Sequence, residues 1–305
     1  MDATILRLPQ LRTGRFVPLT DLLDARGLEA MNLPELAAWS DWQRAQGHSD
    51  HTINARIRRV EVFAAMVGDP VTASTDDVVA YMASLPSRIS RSTRATYFSH
   101  LRAWFNWLVK TGRRDDDPSM RVPSPKTPRR EPRPITDEQF GLLLVTPMRR
   151  RTRMMILLAA FQGLRAHEIA KFRGEDVDHT ARQLTVKGKG GVEKVLPLHP
   201  IVEKYAQDFP NRGYWFAGQT ENGGHIHPRS VTDCVAGVFR RAGIPTGAAH
   251  RLRHTYATRL VQGGHNLRII QELLRHASLQ TTQIYTGVTF DQMQAAGASL
   301  GVPNP

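Results

Sequence analysis

The chain has 305 residues, of which 41% are hydrophobic and 23% charged, a composition typical of a soluble protein with a sizeable core and of a length that predicts two domains. Lys and Arg outnumber Asp and Glu by 41 to 28, and the resulting net charge of +13 favours a polyanionic partner, either nucleic acid or an anionic membrane surface. The longest apolar run, Met154 to Phe161, is too short to cross a bilayer, and the single cysteine, Cys234, excludes an intrachain disulfide and a cysteine-based metal site.

The N-terminal part of the chain predicts an arm followed by a small helical domain. Residues 1–31 show neither sustained periodicity nor the apolar stretch of a signal peptide, so we expect an N-terminal arm on a cytoplasmic protein. Over residues 32–117, apolar residues recur at helical spacing in four segments. Asn32, Ser74 and either Ser90 or Ser92 are candidate N-caps, and Gly112 ends the fourth helix.

A change in composition marks a domain boundary at residues 118–134. This stretch holds six prolines and five basic residues in seventeen, which predicts an extended connector that follows a phosphate backbone. Arginines also cluster at the start of the fourth helix, where they either contact DNA or form a solvated helix end. The candidate DNA-contacting residues of the two regions are Arg91, Arg94, Lys126, Arg129, Arg130 and Arg133.

Residues 135–305 predict a second domain that is mostly helical with one small β-sheet. Thr136 is a candidate N-cap, and a buried helix follows over RTRMMILLAAFQ. The segment RQLTVKGKGGVEKVLPL alternates apolar and polar residues around a glycine-rich turn, which predicts a β-hairpin with Lys187 and Lys189 at its tip. Five further helical patterns follow, so the fold class is mainly α.

Several polar residues of this domain suit chemistry on phosphate. Phosphoryl transfer needs positive charge on the non-bridging oxygens, a nucleophile, and an acid for the departing oxygen. Each candidate alone is more often structural: a packed tyrosine, a solvated lysine or a hydrogen-bonded histidine. Together they supply all of these functions. Arg165 and Arg253 are forked cations, Tyr285 is a nucleophile, Lys189 is a mobile acid, and His250 and His276 are proton carriers.

The motifs GLRAHE, VKGKGGVEKVLPL, HRLRHTYAT and LLRHASLQTTQIYT resemble those of the tyrosine recombinases, also called the phage integrase family. The resemblance implies the catalytic set Arg165, Lys189, His250, Arg253, His276 and the nucleophile Tyr285, with an acidic residue at Glu168. Lys187, two residues before Lys189, is expected either to contact DNA or to be the catalytic lysine in place of Lys189. Residues SRSTRATYFSHLRAWFNWLVKTG resemble the family's core-binding domain, a SAM-like four-helix module. The resemblance therefore extends from Asn32 to the C-terminus.

The chain departs from the family pattern at two positions. Gln162 stands where a threonine is usual and is expected to be peripheral to the chemistry. Arg275 stands where a glycine usually precedes the second histidine, and its charge is expected either to contact DNA or to lower the pKa of His276. Since neither change removes a catalytic group, we expect an active enzyme.

Family membership implies site-specific recombination without metal, ATP or other cofactor, through a 3′-phosphotyrosyl intermediate. The implied partners are double-stranded DNA with an inverted-repeat site and three further copies, or copies of a paralogue, that exchange C-terminal segments. The twenty residues after Tyr285 suffice for one donated helix, the alternative being a helix packed on its own domain. The enzyme would act in the cytoplasm on the nucleoid, either resolving chromosome dimers or integrating and excising a mobile element. A DNA-binding regulator and a type IB topoisomerase are the rival functions.

Overall fold

The computed structural model describes residues 34–126, 134–188, 193–218, 224–245, 247–275 and 288–301. The chain divides into two compact units, Met1–Arg130 and Glu131–Pro305. The predicted N-terminal arm and the candidate cap at Asn32 lie outside the described residues. Within them, no helix has the length and apolar character that crossing a membrane requires.

The first unit contains the helices α1 (Pro34–Ala45), α2 (Asp50–Val67), α3 (Thr75–Ser84) and α4 (Arg91–Lys110). Their starts follow local capping chemistry, since Ser49, Ser74 and Ser90 each accept a hydrogen bond from a backbone N–H of the first turn. The predicted caps at Ser74 and Ser90 are therefore confirmed, and Gly112 takes the left-handed backbone (φ 67°) expected after the fourth helix.

Aromatic side chains form a large part of the core of the first unit. Trp39 of α1 packs edge-on against Trp104 of α4 at 5.1 Å between ring centroids, and Trp107 lies 5.2 Å from Trp104. Arg59 is buried in the same unit, with its guanidinium 3.2 Å from the centroid of the Tyr97 ring and one nitrogen 2.8 Å from the Tyr81 hydroxyl. Arg59 is thus an internal cation rather than part of a basic surface.

Arg94, one of the candidate DNA-contacting residues, makes hydrogen bonds inside the first unit. Its guanidinium donates to the backbone carbonyls of Met82 at 3.1 Å, Leu85 at 2.7 Å and Pro86 at 3.0 Å. These oxygens belong to the end of α3 and the turn that follows, where carbonyls lack helical partners. The donors of Arg94 are therefore used inside the unit, whereas Arg91, one turn earlier on α4, is exposed.

The expectation of an extended connector from residue 118 is wrong for its first four residues. Pro118–Arg121 form a 3₁₀ helix capped by Asp117, in which Pro118 and Ser119 are buried. The hydroxyl of Thr75 donates to the Pro118 carbonyl at 3.2 Å, so this turn packs on the helical unit. Proline suits the first turn of a helix because it has no N–H to leave unpaired. Residues 127–133 lie outside the described part of the chain.

The second unit contains α5 (Asp137–Val145), α6 (Arg150–Phe161), α7 (Ala166–Ala170), α8 (Pro200–Ala206), α9 (Pro228–Arg241), α10 (Ala249–Gln262), α11 (Leu267–Leu274) and α12 (Phe290–Ala298). Thr136 caps α5 through a capping box with Gln139, as predicted. The helix α6 is buried from Met154 to Phe161 and packs against α10, so it forms the centre of this unit.

A three-stranded antiparallel sheet, ordered β1–β2–β3, covers one side of the second unit. The strands are β1 (Val177–Asp178), β2 (Gln183–Lys187) and β3 (Glu193–Pro197). The β2–β3 pairing confirms the predicted hairpin, with Lys187 opposite Glu193 at its outer end. Leu184 and Val186 point into the core, as period-two alternation requires.

The C-terminal helix α12 packs on its own unit in the single chain. Ala296 and Leu300 are buried, and the Leu300 carbonyl lies 3.1 Å from Nε2 of His199. Arg259 of α10 donates to the Gly301 carbonyl at 2.7 Å. This arrangement corresponds to the alternative that the sequence left open beside a donated helix.

Candidate active site

Gly163 forms the turn that positions Arg165. It follows α6 with a left-handed backbone (φ 58°), and a Cβ placed there would lie 2.7 Å from the ring of Tyr256. Glycine is required for both reasons, since L-residues disfavour this conformation and the ring leaves no space. The turn brings Arg165 to the N-terminal end of α7, where its side chain is 33% exposed.

Glu168 is the buried anion of the site. Its carboxylate accepts from the backbone N–H of Arg165 at 2.7 Å and pairs with the Arg165 guanidinium at 3.0 Å. Burial by itself raises the pKa of Glu168, but the guanidinium of Arg275 and the N–H of Arg165 outweigh burial and hold that pKa below its ordinary value. Glu168 therefore remains ionised at neutral pH.

Arg253 and His250 come from one face of α10, three residues apart. The Arg253 guanidinium donates to the carbonyls of Gly163 and Leu274 and lies 4.0 Å from the Glu168 carboxylate. Burial, followed by the nearby charges of Arg275 and Arg165, lowers the pKa of Arg253 to about 9, so the side chain keeps its charge at neutral pH.

His254, which the sequence analysis did not single out, lies beside His250. The Nε2 atoms of the two rings are 2.9 Å apart. Burial lowers the pKa of both histidines, and each is lowered further by the charge of Arg253. His250 is exposed, so a neutral ring that can accept or donate a proton faces the solvent. The four-residue spacing on a helix was the signal that could have predicted this pair.

Arg275 corrects a second expectation. Its side chain is only 6% exposed, and Nη2 lies 2.8 Å from the Glu168 carboxylate and 3.1 Å from the Gly163 carbonyl. The guanidinium therefore points into the unit, and the expectation that it contacts DNA is wrong. A buried carboxylate 107 residues away attracts the charge inward, which the local sequence does not indicate.

Three predicted catalytic residues, Lys189, His276 and Tyr285, lie outside the described residues, as do Arg129, Arg130 and Arg133. Lys187 is exposed and pairs with Glu193 at 3.2 Å, and Lys126 is exposed. A cleft whose lining includes Glu168, Arg173, Tyr214 and Lys187 extends from the carboxylate to the outer end of the hairpin. Gln162 donates to the Pro197 carbonyl at 3.1 Å, so it ties α6 to β3.

The charges of this cluster favour an anionic ligand. Three guanidiniums, those of Arg165, Arg253 and Arg275, surround one carboxylate, so the four groups carry a net charge of +2. Arg165 is the most exposed of the three, and its forked donors match the oxygens of a phosphate. The described site can therefore bind phosphate and stabilise charge that develops on its oxygens.

The comparisons with known proteins agree with this chemistry. Residues 135–292 match the family model described as the phage integrase family. The tyrosine recombinase XerC of Pelobacter propionicus is 33% identical over 263 residues, which are 80% of this chain and 87% of that protein. The solved integrase of mycobacterium phage Brujita is 40% identical, with a TM-score of 0.52, over 89% of this chain and 93% of that one.

A lambda integrase dimer bound to a COC′ core site shares the fold, with a TM-score of 0.65 over 84% of this chain and 98% of that one, at 16% identity. Both the family match and the XerC relative extend over more than half of the chain. The protein is therefore a member of the phage integrase family, the tyrosine recombinases, which carry out site-specific DNA recombination.

Proposed function

We propose that Arg165, Lys189, His250, Arg253, His276 and Tyr285 carry out strand cleavage and rejoining at a specific DNA site. The observation that supports this assignment most directly is the cluster of arginines on Glu168, in which the Arg165 side chain remains 33% exposed. Glu168 also lines the cleft that extends to Lys187 of the hairpin. Arg165 and Arg253 would neutralise the scissile phosphate. Lys189, two residues after Lys187 in the sequence, would contact the same phosphate.

The proposed reaction balances without a metal or a nucleotide. The hydroxyl oxygen of Tyr285 attacks the phosphorus, and its proton passes to a neutral histidine such as His250. The bond from phosphorus to the 5′-oxygen breaks, and Lys189 donates a proton to that oxygen. A 5′-hydroxyl of the partner strand then attacks the phosphorus of the 3′-phosphotyrosyl link and gives its proton to Lys189. The bond from phosphorus to the Tyr285 oxygen breaks, that oxygen takes its proton back from the histidine, and the energy of the phosphodiester is conserved.

Tyr256 is a poor alternative nucleophile. It lies against Gly163, next to the arginines, but it is only 2% exposed. Burial also raises the pKa of its phenol, which disfavours the attacking phenolate. These properties leave Tyr285 as the nucleophile that the family motif implies.

The test is covalent capture of DNA on a nicked suicide substrate. Tyr285→Phe removes the attacking oxygen and keeps the ring, so DNA binding should persist while the covalent adduct disappears. Tyr205→Phe, on α8, is the matched control and should form the adduct at the wild-type rate. An adduct formed by Tyr285→Phe would disprove the nucleophile assignment.

For the whole chain, we propose a helical domain over 32–117, a connector over 118–134 whose first four residues pack on that domain, and a catalytic domain over 135–305, all of which bind duplex DNA. Lys126, Arg129, Arg130 and Arg133 would follow the phosphate backbone, with Lys187 and Arg91 as further contacts. The slope of log affinity against log salt, about −0.9 per neutralised phosphate, should flatten when the four connector cations are replaced by alanine. An unchanged slope would mean that the connector does not touch DNA.

We propose further that four copies assemble on two inverted-repeat sites on the nucleoid. The helix α12 would leave its own unit and pack at the equivalent position on a neighbouring copy.

For the biological role, the 40% sequence identity to a phage integrase exceeds the 33% identity to XerC and supports integration and excision of a mobile element. A recombination assay between two DNA sites, which carry the repeats that flank the gene for this protein, would test this role. Recombination only at a chromosome-dimer resolution site would contradict it.

A further inference from the structure

Arg275 occupies a backbone conformation that disfavours its residue type. It ends α11 in the left-handed region, with φ 52° and ψ 48°. Among the described non-glycine residues only Arg182 shares a positive φ. A glycine would take this conformation without strain and is the usual residue after a helix C-terminus. The chain therefore places an arginine where helix termination alone favours glycine.

Both terminal nitrogens of the Arg275 side chain make hydrogen bonds inside the second unit. Nη2 bridges the Glu168 carboxylate at 2.8 Å and the Gly163 carbonyl at 3.1 Å, and Nη1 donates to the Leu273 carbonyl at 2.9 Å. Gly163 belongs to the turn that carries Arg165, and Glu168 is the residue that holds the Arg165 guanidinium. Arg275 thus contacts both supports of Arg165.

The main chain of Arg275 completes the connection. Its carbonyl lies 3.4 Å from Nη2 of Arg165, and the next residue in the sequence is His276. Arg275 is therefore hydrogen-bonded to Arg165, the arginine proposed to bind phosphate. Arg275 also directly precedes the second histidine of the proposed catalytic set. The two oxygens of Glu168 also have different contacts: Oε1 accepts from the Arg165 guanidinium, and Oε2 accepts from Arg275 and from the backbone N–H of Arg165.

We infer that Arg275 is a positioning residue for strand cleavage, which holds Glu168 and the Gly163 turn so that Arg165 faces the scissile phosphate. The inference rests on the proposed roles of Arg165 and His276. The competing explanation is that Arg275 only ends α11. In that case glycine at this position would relieve strain, and cleavage would not change.

The test measures single-turnover cleavage at saturating DNA, together with DNA affinity, for Arg275→Gly and Arg275→Lys. Arg275→Gly should lower the cleavage rate roughly tenfold to a hundredfold, the range expected when a catalytic group is misplaced, while affinity changes less than about twofold. Arg275→Lys keeps a charge next to Glu168 and should recover part of the rate. Recovery by lysine would not occur if only helix termination mattered.

Two further variants make the result specific. Arg182→Gly makes the same substitution at the other left-handed arginine, which is 67% exposed and pairs with Glu203 outside the site, and it should cleave at the wild-type rate. In a Glu168→Gln background, Arg275→Gly should have a smaller effect than in the wild type, because the charge that pairs with Arg275 is already gone.

The inference is overturned if Arg275→Gly cleaves within twofold of the wild type, or if its defect is undiminished in the Glu168→Gln background. The proposed function has its own, separate failure. If Arg165→Lys cleaves normally, the assignment of the phosphate-binding arginine is wrong, whatever Arg275 does.

Discussion

At the scale of single residues, the site depends on one carboxylate shared by three arginines. Arginine suits this arrangement because its donors lie in a rigid plane and can serve an anion and a carbonyl together. The left-handed backbone of Arg275 costs about 1–2 kcal/mol, and its paired contacts to Glu168 and Gly163 offset that cost. The charge that remains on Arg165 is available for a ligand.

The first prediction concerns the two lysines of the hairpin. If Lys189 protonates the leaving 5′-oxygen, Lys189→Ala should fail on an ordinary phosphodiester and recover on a 5′-bridging phosphorothioate, because a thiolate leaves without a proton. Single-turnover cleavage of the two substrates measures the difference.

Lys187→Ala is the matched control for this prediction. The Lys187 ammonium pairs with Glu193, and the Lys187 side chain is 58% exposed. Loss of this side chain should therefore weaken DNA binding and affect cleavage of both substrates equally. If the phosphorothioate rescues Lys187→Ala instead, the acid has been assigned to the wrong lysine.

At the scale of elements, arginine also joins helices in the first unit. The end of α3 leaves carbonyls without partners, and the guanidinium of Arg94, from α4, satisfies three carbonyls there and in the following turn. A cation at a helix C-terminus also interacts favourably with the helix dipole. Arg94 therefore links α4 to the end of α3, although in the sequence it resembles a surface cation.

The second prediction compares two arginines one turn apart on α4. Arg94→Met should destabilise the protein by about 1–3 kcal/mol, because buried carbonyls lose charged donors. Arg91→Met should change the free energy of unfolding by less than about 0.5 kcal/mol, since Arg91 is exposed. Urea unfolding measures both.

DNA affinity should give the reverse order for these variants. Arg91→Met should weaken binding, and folded Arg94→Met should bind nearly as well as the wild type. A stable Arg94→Met variant with poor DNA affinity would restore Arg94 as a DNA contact.

At the scale of the whole molecule, histidines whose pKa is lowered in the folded state make stability depend on pH. Burial lowers the pKa of His100 in the first unit and of His167, His199, His250 and His254 in the second. Below the ordinary value of about 6.5, the unfolded chain takes up protons that the folded chain resists. Protonation therefore favours unfolding, and the folded state loses stability as the pH falls through this range.

The third prediction follows from this loss of stability as the pH falls. The urea midpoint of the DNA-free protein should be lower at pH 5.5 than at pH 7.5. Glu168 does not oppose this trend, because its lowered pKa places its titration below the range tested. His254→Gln should reduce the difference by removing one of the groups. Equal midpoints at the two pH values would contradict the assignment of these histidines as neutral.

The sequence by itself determined the helices, the hairpin and the chemical class of the site. Caps such as Ser74 and Thr136 act on backbone groups within three residues, and the buried run Met154–Phe161 is apolar on every face, so local patterns were sufficient. The two-residue strand β1 was missed because it exists only through pairing with β2. A strand this short has no periodicity of its own.

Only the tertiary structure decided where the charged side chains point. The local sequence around a basic residue is the same whether its side chain faces DNA or the interior. The direction depends on partners that the long side chain reaches, and these partners can lie far along the chain. Arg94 meets carbonyls 8 to 12 residues away, and Arg275 meets a carboxylate 107 residues away. The sequence therefore determined which residues could act on phosphate, while packing decided that Arg165 is exposed and that Arg275 supports it.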